Sequence, residues 1–371
     1  MALHAPRARI ALLTHRRLQP LRKYPGILLR RLPFRRREAP VDKWAQINGL
    51  VSAAARKLDL QVAQLPYDFL RITDGATVLY SRDFDFSVES LTAYWLCGDK
   101  HLTSLLLRDA GLPVPDFTVV RASDLASAFA SFGKLQPPLV VKPCFGAGGQ
   151  GVTVGITSLR DFRKACYRAL QSCDRLMVEQ VVAGRHWRIH TFDGQMISAF
   201  ERLPAFVIGD GSISIARLID KSNNAIVIRN GFPSAHPICR DRETRAVLRE
   251  QGLKLSTVLP AERRVELKRV CNAAAGGVTV DVSGSVHPDY LQLARRAAAV
   301  MGARLVGIDI IAPDVAAPRD ERAVINEVNT TPALEIANFD ISGRDSAAAS
   351  VERLLSLVFG TDSRTPTTHG A

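Results

Sequence analysis

Two apolar segments near the end of the sequence carry oxygen-bearing side chains at a regular spacing. The first, VGIDII, contains Asp309, and the second, AVINEVN, contains Glu327 and Asn329. Side chains two residues apart on a strand share a face, so Glu327 and Asn329 are expected side by side. Two carboxylates and a carboxamide suit Mg²⁺, a hard cation that takes oxygen ligands and keeps substrate phosphates as its other ligands. The two segments therefore predict a magnesium site on neighbouring strands.

An acid pair on an exposed hairpin is the alternative to a metal site. The loop APDVAAPRDER between the two segments is long enough to connect two adjacent strands in either case. The apolar residues around Asp309 and Glu327 favour the metal, because a buried carboxylate needs a partner and Mg²⁺ would provide one.

A glycine-rich segment far upstream complements this predicted metal site. The run PLVVKPCFGAGGQGV places Lys142 at the end of a predicted strand, with Gly148, Gly149 and Gly151 shortly after it. A lysine can bind phosphates as a point charge, and glycines let backbone N–H groups approach phosphate oxygens closely. The spacing is not that of the GxxxxGKS or GxxxxGKT loop, so a P-loop fold is disfavoured. Together the two regions indicate chemistry on a nucleoside triphosphate.

Helices must position these residues, and the spacing of apolar residues indicates where the helices lie. The predicted helices cover 44–58, 88–112, 158–172, 289–301 and 345–359. A break is expected near Gly98 in the second of them. Ser158 is predicted to cap the third helix, and Ser123 to cap a shorter helix that runs toward Phe132.

Strands are predicted from short apolar runs that end at turn residues. LQVAQLP and PPLVVKP are two such runs, and Asp74-Gly75 lies between two more, which is a good hairpin signal. The stretch 185–215 is rich in predicted strands, with turns at Asp193 and Asp210, each followed by glycine. Alternating helices and strands of this kind indicate an α/β (α+β) protein.

The composition indicates a globular protein with more than one core. The chain has 371 residues, of which 47% are hydrophobic, and two or three domains or subdomains are expected at this length. No apolar run approaches the roughly 18–20 residues that span a bilayer. Six cysteines form no CxxC pair, so we expect reduced thiols and a cytoplasmic location.

The positive charge is concentrated at the start of the chain. Residues 1–43 contain twelve Lys or Arg against Glu38 and Asp42, a net of +10 out of the total of +13. This segment contains no sustained apolar stretch, which argues against a secretory signal, and the prolines at 6, 20, 25 and 33 argue against the amphipathic helix of a transit peptide. A solvated, flexible arm is one interpretation. An arm that binds nucleic acid, an acidic membrane surface or an acidic polymer is the other.

Six sequence blocks in this order resemble the ATP-grasp ligases, especially the ATP-grasp regions of cyanophycin synthetase and of the bifunctional glutathione-synthesising enzyme. They are CGDKHLTSLLLRDAGLPVPDF, VVKPCFGAGGQGV, MVEQVVAGRHWRIH, ERLPAFVIGDGSISIARLIDKSN, CNAAAGGVTVDVSGSVHPDY and the pair of predicted metal segments. The resemblance covers about 60–340 and does not include the basic arm. We expect no counterpart of the Mur-ligase-like part of cyanophycin synthetase in this sequence.

The resemblance implies an ATP-grasp fold, in which a small N-terminal α/β domain precedes two subdomains that clamp ATP. The implied divisions are a basic arm (1–43), a pre-ATP-grasp domain (44–118), a small subdomain with the glycine segment (119–182), a large subdomain with the metal site (183–360) and a disordered tail (361–371).

The resemblance also assigns residues to the nucleotide. Lys142 and Lys100 would contact phosphates together with the glycines, and Asp309, Glu327 and Asn329 would bind the metal. The adenine would be held by the hinge, which comprises Glu179, Gln180, Val181 and Val182. The family usually has an acid that binds the ribose hydroxyls where this chain has His186, which can accept one hydrogen bond but cannot hold two hydroxyls in the same way.

Three arginines are candidates for binding phosphate or a substrate carboxylate: Arg188, Arg202 and Arg304. Arg202 is favoured as catalytic, alongside Lys142, because it lies in ERLPAFVIGDG, which is part of one block of the resemblance. Asn272, Gly276 and Gly277 lie in a segment that resembles the acceptor-side loop. For His287 a local capping or packing role is favoured, and for Cys144 a role as a small core thiol.

The function implied by the resemblance is an ATP-dependent carboxylate–amine ligase that forms an amide through an acylphosphate. Its cofactors would be ATP and two Mg²⁺, with Mn²⁺ as the alternative metal, and its substrates an amino acid or short peptide and an amine. A homo-oligomer is one further expectation. The rival hypotheses are an ATP-grasp scaffold that binds nucleic acid or an acidic surface through its arm, and an ATP-grasp kinase or carboxylase.

Overall fold

The computed structural model describes residues 43–146, 148–229 and 232–361. The predictions for the basic arm and for the C-terminal tail therefore concern residues that lie almost wholly outside the described part. Within the described residues, no helix is both long and apolar enough to cross a membrane. All six cysteines are described and are free thiols, as expected from their spacing.

The described residues alternate between helices and strands. The helices are α1 (Lys43–Lys57), α2 (Leu91–Gly98), α3 (Lys100–Asp109), α4 (Leu125–Ala130), α5 (Leu159–Ala169), α6 (Ile215–Asn224), α7 (Arg242–Glu250), α8 (Pro288–Met301) and α9 (Ser346–Phe359). The strands are β1 (Gln61–Leu65), β2 (Phe69–Thr73), β3 (Val78–Ser81), β4 (Phe117–Arg121), β5 (Leu139–Pro143), β6 (Thr153–Ile156), β7 (Arg175–Gln180), β8 (Arg185–Phe192), β9 (Gln195–Leu203), β10 (Phe206–Ile208), β11 (Ile228–Arg229), β12 (Phe232–Pro233), β13 (Arg264–Glu266), β14 (Val278–Asp281), β15 (Leu305–Ala312) and β16 (Val324–Thr330).

The largest sheet has five antiparallel strands in the order β14-β9-β8-β15-β16. Its back face is apolar because every second residue of β15 (Val306, Ile308 and Ile310) points away from Asp309 and is buried against α8. Helix α8 contributes Ala294, Ala297 and other small residues that allow close packing. The polar residues that alternate with these apolar ones, such as Asp309, therefore lie on the opposite, front face of the sheet.

A second sheet of four strands, in the order β4-β7-β5-β6, carries the glycine segment between β5 and β6. Helices α4 and α5 contribute to the core that covers it, in which Phe162 and Cys166 are fully buried. The sheet begins at Phe117, so the limit predicted after residue 118 falls inside β4. The subdomain limits derived from the sequence otherwise stay predictions.

The N-terminal elements do not have a core to themselves. Helix α1 and the sheet β1-β2-β3 bury Ile47, Leu70 and Ile72 in one cluster with Val351 and Leu354 of the C-terminal helix α9. The first and last elements of the described chain therefore stabilise each other across most of its length.

A smaller core lies between β9 and β14 along the chain. It is formed by α6, α7 and the paired strands β10 and β13, with Ile215, Leu218 and Leu248 buried. The strand-rich prediction for 185–215 was wrong at its end, because helix α6 begins at Ile215 with Ser214 as its N-cap residue. The turn that starts at Asp210 therefore leads into a helix rather than a further strand.

The cap of α4 was also predicted incorrectly. Ser158 caps α5 as expected, since its hydroxyl accepts a hydrogen bond from the backbone N–H of Asp161. Ser123 lies instead in a short 3₁₀ turn before α4, where its hydroxyl donates to Asp124, and α4 has no side-chain cap.

Candidate ATP and metal site

The predicted metal residues meet on the front face of the five-stranded sheet. Asp309 on β15 lies directly opposite Glu327 on β16 and opposite Arg188 on β8. Asn329 lies opposite Gly307, two residues along each strand. The register therefore places all three predicted ligands on one face, as the spacing indicated. Their role as ligands stays a prediction.

Asp309 is buried and accepts three hydrogen bonds from arginines. Arg188 binds it in a bidentate manner, with Nε 2.5 Å from Oδ1 and Nη2 2.5 Å from Oδ2, and Arg202 Nη1 lies 3.0 Å from Oδ2. Burial alone would raise the pKa of Asp309, but the charges of Arg188 and Arg202 outweigh it and lower the pKa to about 2. The carboxylate is therefore ionised at neutral pH, which is the form that binds a cation.

Lys100 connects the glycine segment to the metal residues. Its Nζ lies 3.2 Å from Glu327 Oε1 and donates to the carbonyl of Gly146 at 2.5 Å. The backbone of Lys100 is held in place in two ways. Its N–H donates to the backbone carbonyl of Cys144, and Asp99 caps helix α3, in which Lys100 is the first residue. Gly146 and Glu327, which are more than 170 residues apart in the sequence, thus both contact the ammonium group of Lys100.

The donor set of Asp309, Glu327 and Asn329 fits a divalent metal that prefers oxygen. It supplies two carboxylates and an amide, although nowhere in the described residues do three or more His, Cys, Asp or Glu side chains form a metal-binding group. The Nδ2 atom of Asn329 is buried and makes no hydrogen bond within that part of the chain. No bond from that atom fixes the amide, so its oxygen can turn toward a cation.

Lys142 forms a buried ion pair at the base of the glycine segment. Its Nζ lies 2.8 Å from Glu179 Oε1, and the two residues are only 5% and 4% exposed. They lie on the paired strands β5 and β7. Lysine and the first hinge residue, both predicted to bind nucleotide, are therefore in contact.

In the rest of the predicted hinge, Gln180 ends β7, and Val181 and Val182 follow it. The N–H of Val181 donates to the carbonyl of Pro138 at 2.9 Å, so that group is engaged within the protein. The Gln180 N–H likewise faces the carbonyl of Asp116, at 3.4 Å. Both of these N–H groups are therefore engaged within the protein and are not left for an adenine.

The three predicted glycines adopt backbone conformations that other residues rarely tolerate. Gly148, Gly149 and Gly151 have φ of 68°, 73° and 75°. A Cβ on Gly151 would also lie 2.8 Å from Pro143 Cγ. Glycine is required here both for the left-handed backbone and for close contact with the end of β5.

Two histidines flank Arg188 on β8, on the face that carries Asp309. Burial, followed by the charge of Arg202, lowers the pKa of His186, so it is neutral at pH 7 and can accept a hydrogen bond as predicted for the ribose position. His190 was not singled out from the sequence. It is fully buried, its Nδ1 lies 3.1 Å from Ser198 Oγ, and burial lowers its pKa to about 3.

Arg188 is the main residue that the sequence undervalued, since Arg202 was favoured over it. The sequence contains a pattern that could have indicated its importance. His186, Arg188 and His190 alternate with apolar residues along β8 and therefore share a face. Arg304 lies elsewhere, paired with Asp193 at 2.6 Å on a turn.

Two further residues have structural roles, as favoured from the sequence. The side chain of His287 caps α8 by accepting from the Asp289 N–H. Burial raises the pKa of the Cys144 thiol to about 12, so it is a protonated core residue beside Lys142.

Comparison of the sequence with known proteins identifies relatives of this chain. No family model matches the sequence. The chain is 32% identical over 290 residues to cyanophycin synthetase of Geminocystis herdmanii, a match that covers 74% of this chain and 33% of the relative. It is 27% identical over 307 residues to the bifunctional glutathione biosynthesis protein of Mannheimia succiniciproducens, covering 80% of this chain and 40% of the relative.

The crystal structure of a bifunctional glutathione synthetase from Pasteurella multocida has the same fold. It superposes with a TM-score of 0.58 at 24% identity, covering 83% of this chain and 44% of that one. The chain therefore has the ATP-grasp fold. It is a homologue of cyanophycin synthetase and of bifunctional glutathione synthetase, and it spans about a third to two fifths of the length of these relatives.

Proposed function

We propose that the chain is an ATP-dependent ligase that joins a carboxylate to an amine through an acylphosphate. One observation carries the proposal: Lys100 contacts both the glycine segment, through Gly146, and the carboxylate of Glu327. A triphosphate bound along the glycine segment would have its terminal phosphates at the metal residues. The relatives named as synthetases support a bond-forming reaction.

In this proposal ATP binds between the four-stranded and five-stranded sheets. Lys142, Lys100 and the N–H groups of the glycine segment neutralise the phosphates, while the hinge from Glu179 to Val182 and His186 hold the nucleoside. Asp309, Glu327 and Asn329 would hold the divalent metal, for which we propose two Mg²⁺, with Mn²⁺ as the alternative. When bound, the metal would neutralise charge on the transferred phosphoryl group.

The substrate carboxylate attacks the γ-phosphorus, and ADP leaves as the acylphosphate forms. An amine then attacks the acyl carbon, inorganic phosphate leaves, and the amine loses a proton to give the amide. Arg202 and Arg188 both contact Asp309, and in this proposal they would stabilise negative charge on the reacting groups. The chain supplies orientation and charge, so the reaction needs no serine or cysteine nucleophile.

The substrate class proposed is an amino acid or a short peptide, together with an amine. The proposal is tested by incubating purified protein with ATP, Mg²⁺ and pooled amino acids and dipeptides. We expect phosphate release that depends on the pool, and a new amide product detected by mass spectrometry. Glu327→Gln provides the matched inactive control. Phosphate release that is the same with and without the pool would contradict the ligase and favour a simple ATPase.

A further inference from the structure

Asn272 connects two segments of the molecule through a single side-chain amide. Its Oδ1 accepts from the Ala274 N–H at 3.1 Å and so caps the 3₁₀ turn Ala273–Ala275. Its Nδ2 donates to the carbonyl of Gly148 at 2.6 Å, in the glycine segment more than 120 residues away in sequence. The two halves of one amide thus hold two different loops.

The backbone around Asn272 is anchored to the five-stranded sheet. The Gly277 N–H donates to the Asn272 carbonyl at 3.1 Å, and a Cβ on Gly277 would lie 2.8 Å from that oxygen. The next residue begins β14, in which Thr279 lies opposite Arg202. The C-terminal end of the loop 271–277 is therefore anchored beside Arg202, while Gly148 belongs to the nucleotide side.

The glycine segment is shaped to accept this contact. A Cβ on Gly149 would lie 3.0 Å from Asn272 Nδ2, so a side chain there would push the amide away. In a trans peptide the C=O and the following N–H point in opposite directions. Because the Gly148 carbonyl faces Asn272, the Gly149 N–H faces away from Asn272, where an anionic oxygen can accept it.

We propose that Asn272 is a positioning residue that couples nucleotide binding to the loop 271–277, and hence to the site of the second substrate beside Arg202. This rests on the proposed ligase function. Nucleotide that orders Gly148 and Gly149 would also order the loop through Asn272, and by reciprocity an ordered loop would favour nucleotide. One hydrogen bond of ordinary strength corresponds to a coupling of about two- to tenfold in affinity.

The two halves of the amide can be separated by substitution. Asn272→Asp keeps an oxygen that can cap Ala274 but has no N–H for Gly148. Asn272→Ser keeps a capping oxygen without adding negative charge, so it tests whether charge alone explains the effect of the aspartate. Asn224→Asp is the matched control, because Asn224 is exposed at the end of α6.

The probe is the non-hydrolysable ATP analogue AMPPNP with Mg²⁺, measured by calorimetry and by hydrogen exchange of peptides covering 145–152 and 271–277. In the wild type we expect AMPPNP to slow exchange in both peptides. In Asn272→Asp and Asn272→Ser we expect about two- to tenfold weaker binding and slowing in 145–152 alone, with unchanged exchange of 271–277 before nucleotide is added.

The outcomes distinguish the two proposals. If AMPPNP binds the wild type and both variants equally, or still slows exchange of 271–277 in both variants, Asn272 does not couple the loops and only this inference fails. If AMPPNP does not bind the wild type at all, the proposed ATP chemistry fails and the coupling falls with it. An equal loss of affinity in Asn224→Asp would also overturn the role of Asn272.

Discussion

The carboxylate of Asp309 would have two roles in the site, because it binds two arginines and would also bind a metal. Arg188 and Arg202 already use both hydrogen-bonding positions of Oδ2, and Arg188 Nε takes one position of Oδ1. One position of Oδ1 remains for a cation. Asp309 would therefore have a single position to offer a metal, on an oxygen that also accepts a hydrogen bond from Arg188.

Substitution at Asp309 and at Glu327 should separate stability from activity. Asp309→Asn removes the charge opposite two arginines in a buried cluster, and breaking a buried ion pair costs about 3–5 kcal/mol, reduced here because asparagine still accepts a hydrogen bond. Glu327→Gln removes a charge from a more exposed pair with Lys100. We expect both variants to lose turnover, and only Asp309→Asn to show a clearly lower unfolding free energy in urea. Full turnover in either variant would exclude it as a metal ligand.

His190 predicts a pH dependence of stability. Its pKa falls from the ordinary 6.5 to about 3 on folding, because the fully buried ring cannot carry a charge. The unfolded chain therefore takes up a proton below pH 6.5 that the folded chain does not, so stability is complete above pH 6.5 and falls as the pH drops toward 3. The slope is about 1.4 kcal/mol per pH unit for one group.

The measurement is the unfolding free energy between pH 6.5 and 4 for the wild type, His190→Gln and His236→Gln. His236 is exposed and serves as the control. We expect the slope to flatten only in His190→Gln. A slope that is unchanged by that substitution would show that other groups cause the acid sensitivity.

At the level of elements, Ser158 and Ser123, two serines that each precede a helix, allow a matched test of capping. Ser158 accepts from the Asp161 N–H, and an N-cap serine replaced by alanine typically costs about 1 kcal/mol. Ser123 has the same residue type before a helix but caps nothing, since its hydroxyl faces Asp124 in an exposed turn. We expect Ser158→Ala to lower the thermal midpoint and Ser123→Ala to leave it unchanged. Equal effects would contradict the assignment of the cap.

The length of an element decided whether it could be predicted from the sequence. Helices α1, α5, α8 and α9 were predicted to within about two or three residues at each end, because their apolar periodicity is sustained over several turns. Short elements failed: helix α6 was not predicted, and the strand-rich stretch was extended to its first residue, because local preference over a few residues is weak against tertiary packing. The prediction that Ser123 is a cap was wrong because capping depends on the local direction of the backbone, which the residue type alone does not determine.

For the site, residue types and strand alternation predicted which residues share a face, but not which partners they have. Asp309, Glu327 and Asn329 follow from a period of two, whereas the contact of Lys100 with Glu327 joins elements distant in sequence. The Asn272 amide was equally hidden, since its second partner is a backbone carbonyl. Such contacts depend on how the two sheets are placed, which the pattern of one strand does not encode.

On the scale of the whole molecule, the first and last helices of the described residues share a core. Helix α1 packs against α9, and Lys57 pairs with Glu352 at 3.2 Å. Helix α1, which begins at Lys43, therefore belongs to the folded body. The net charge of residues 1–42 is large, because they contain eleven Lys or Arg against two acids.

Deleting residues 1–42 should separate the proposed catalysis from binding to acidic partners. The site residues from Lys100 to Asn329 all lie in the described body, so we expect ATP turnover on small substrates to stay within a few-fold of the full-length protein. Retention on an anionic matrix should fall sharply on deletion. For the full-length protein it should also fall with added salt, because exposed charges are screened over about 10 Å at 0.1 M. If the truncated protein folds but turns over no small substrate, the arm contributes to the active site. If retention is unchanged, the charge that binds the matrix lies on the folded body instead.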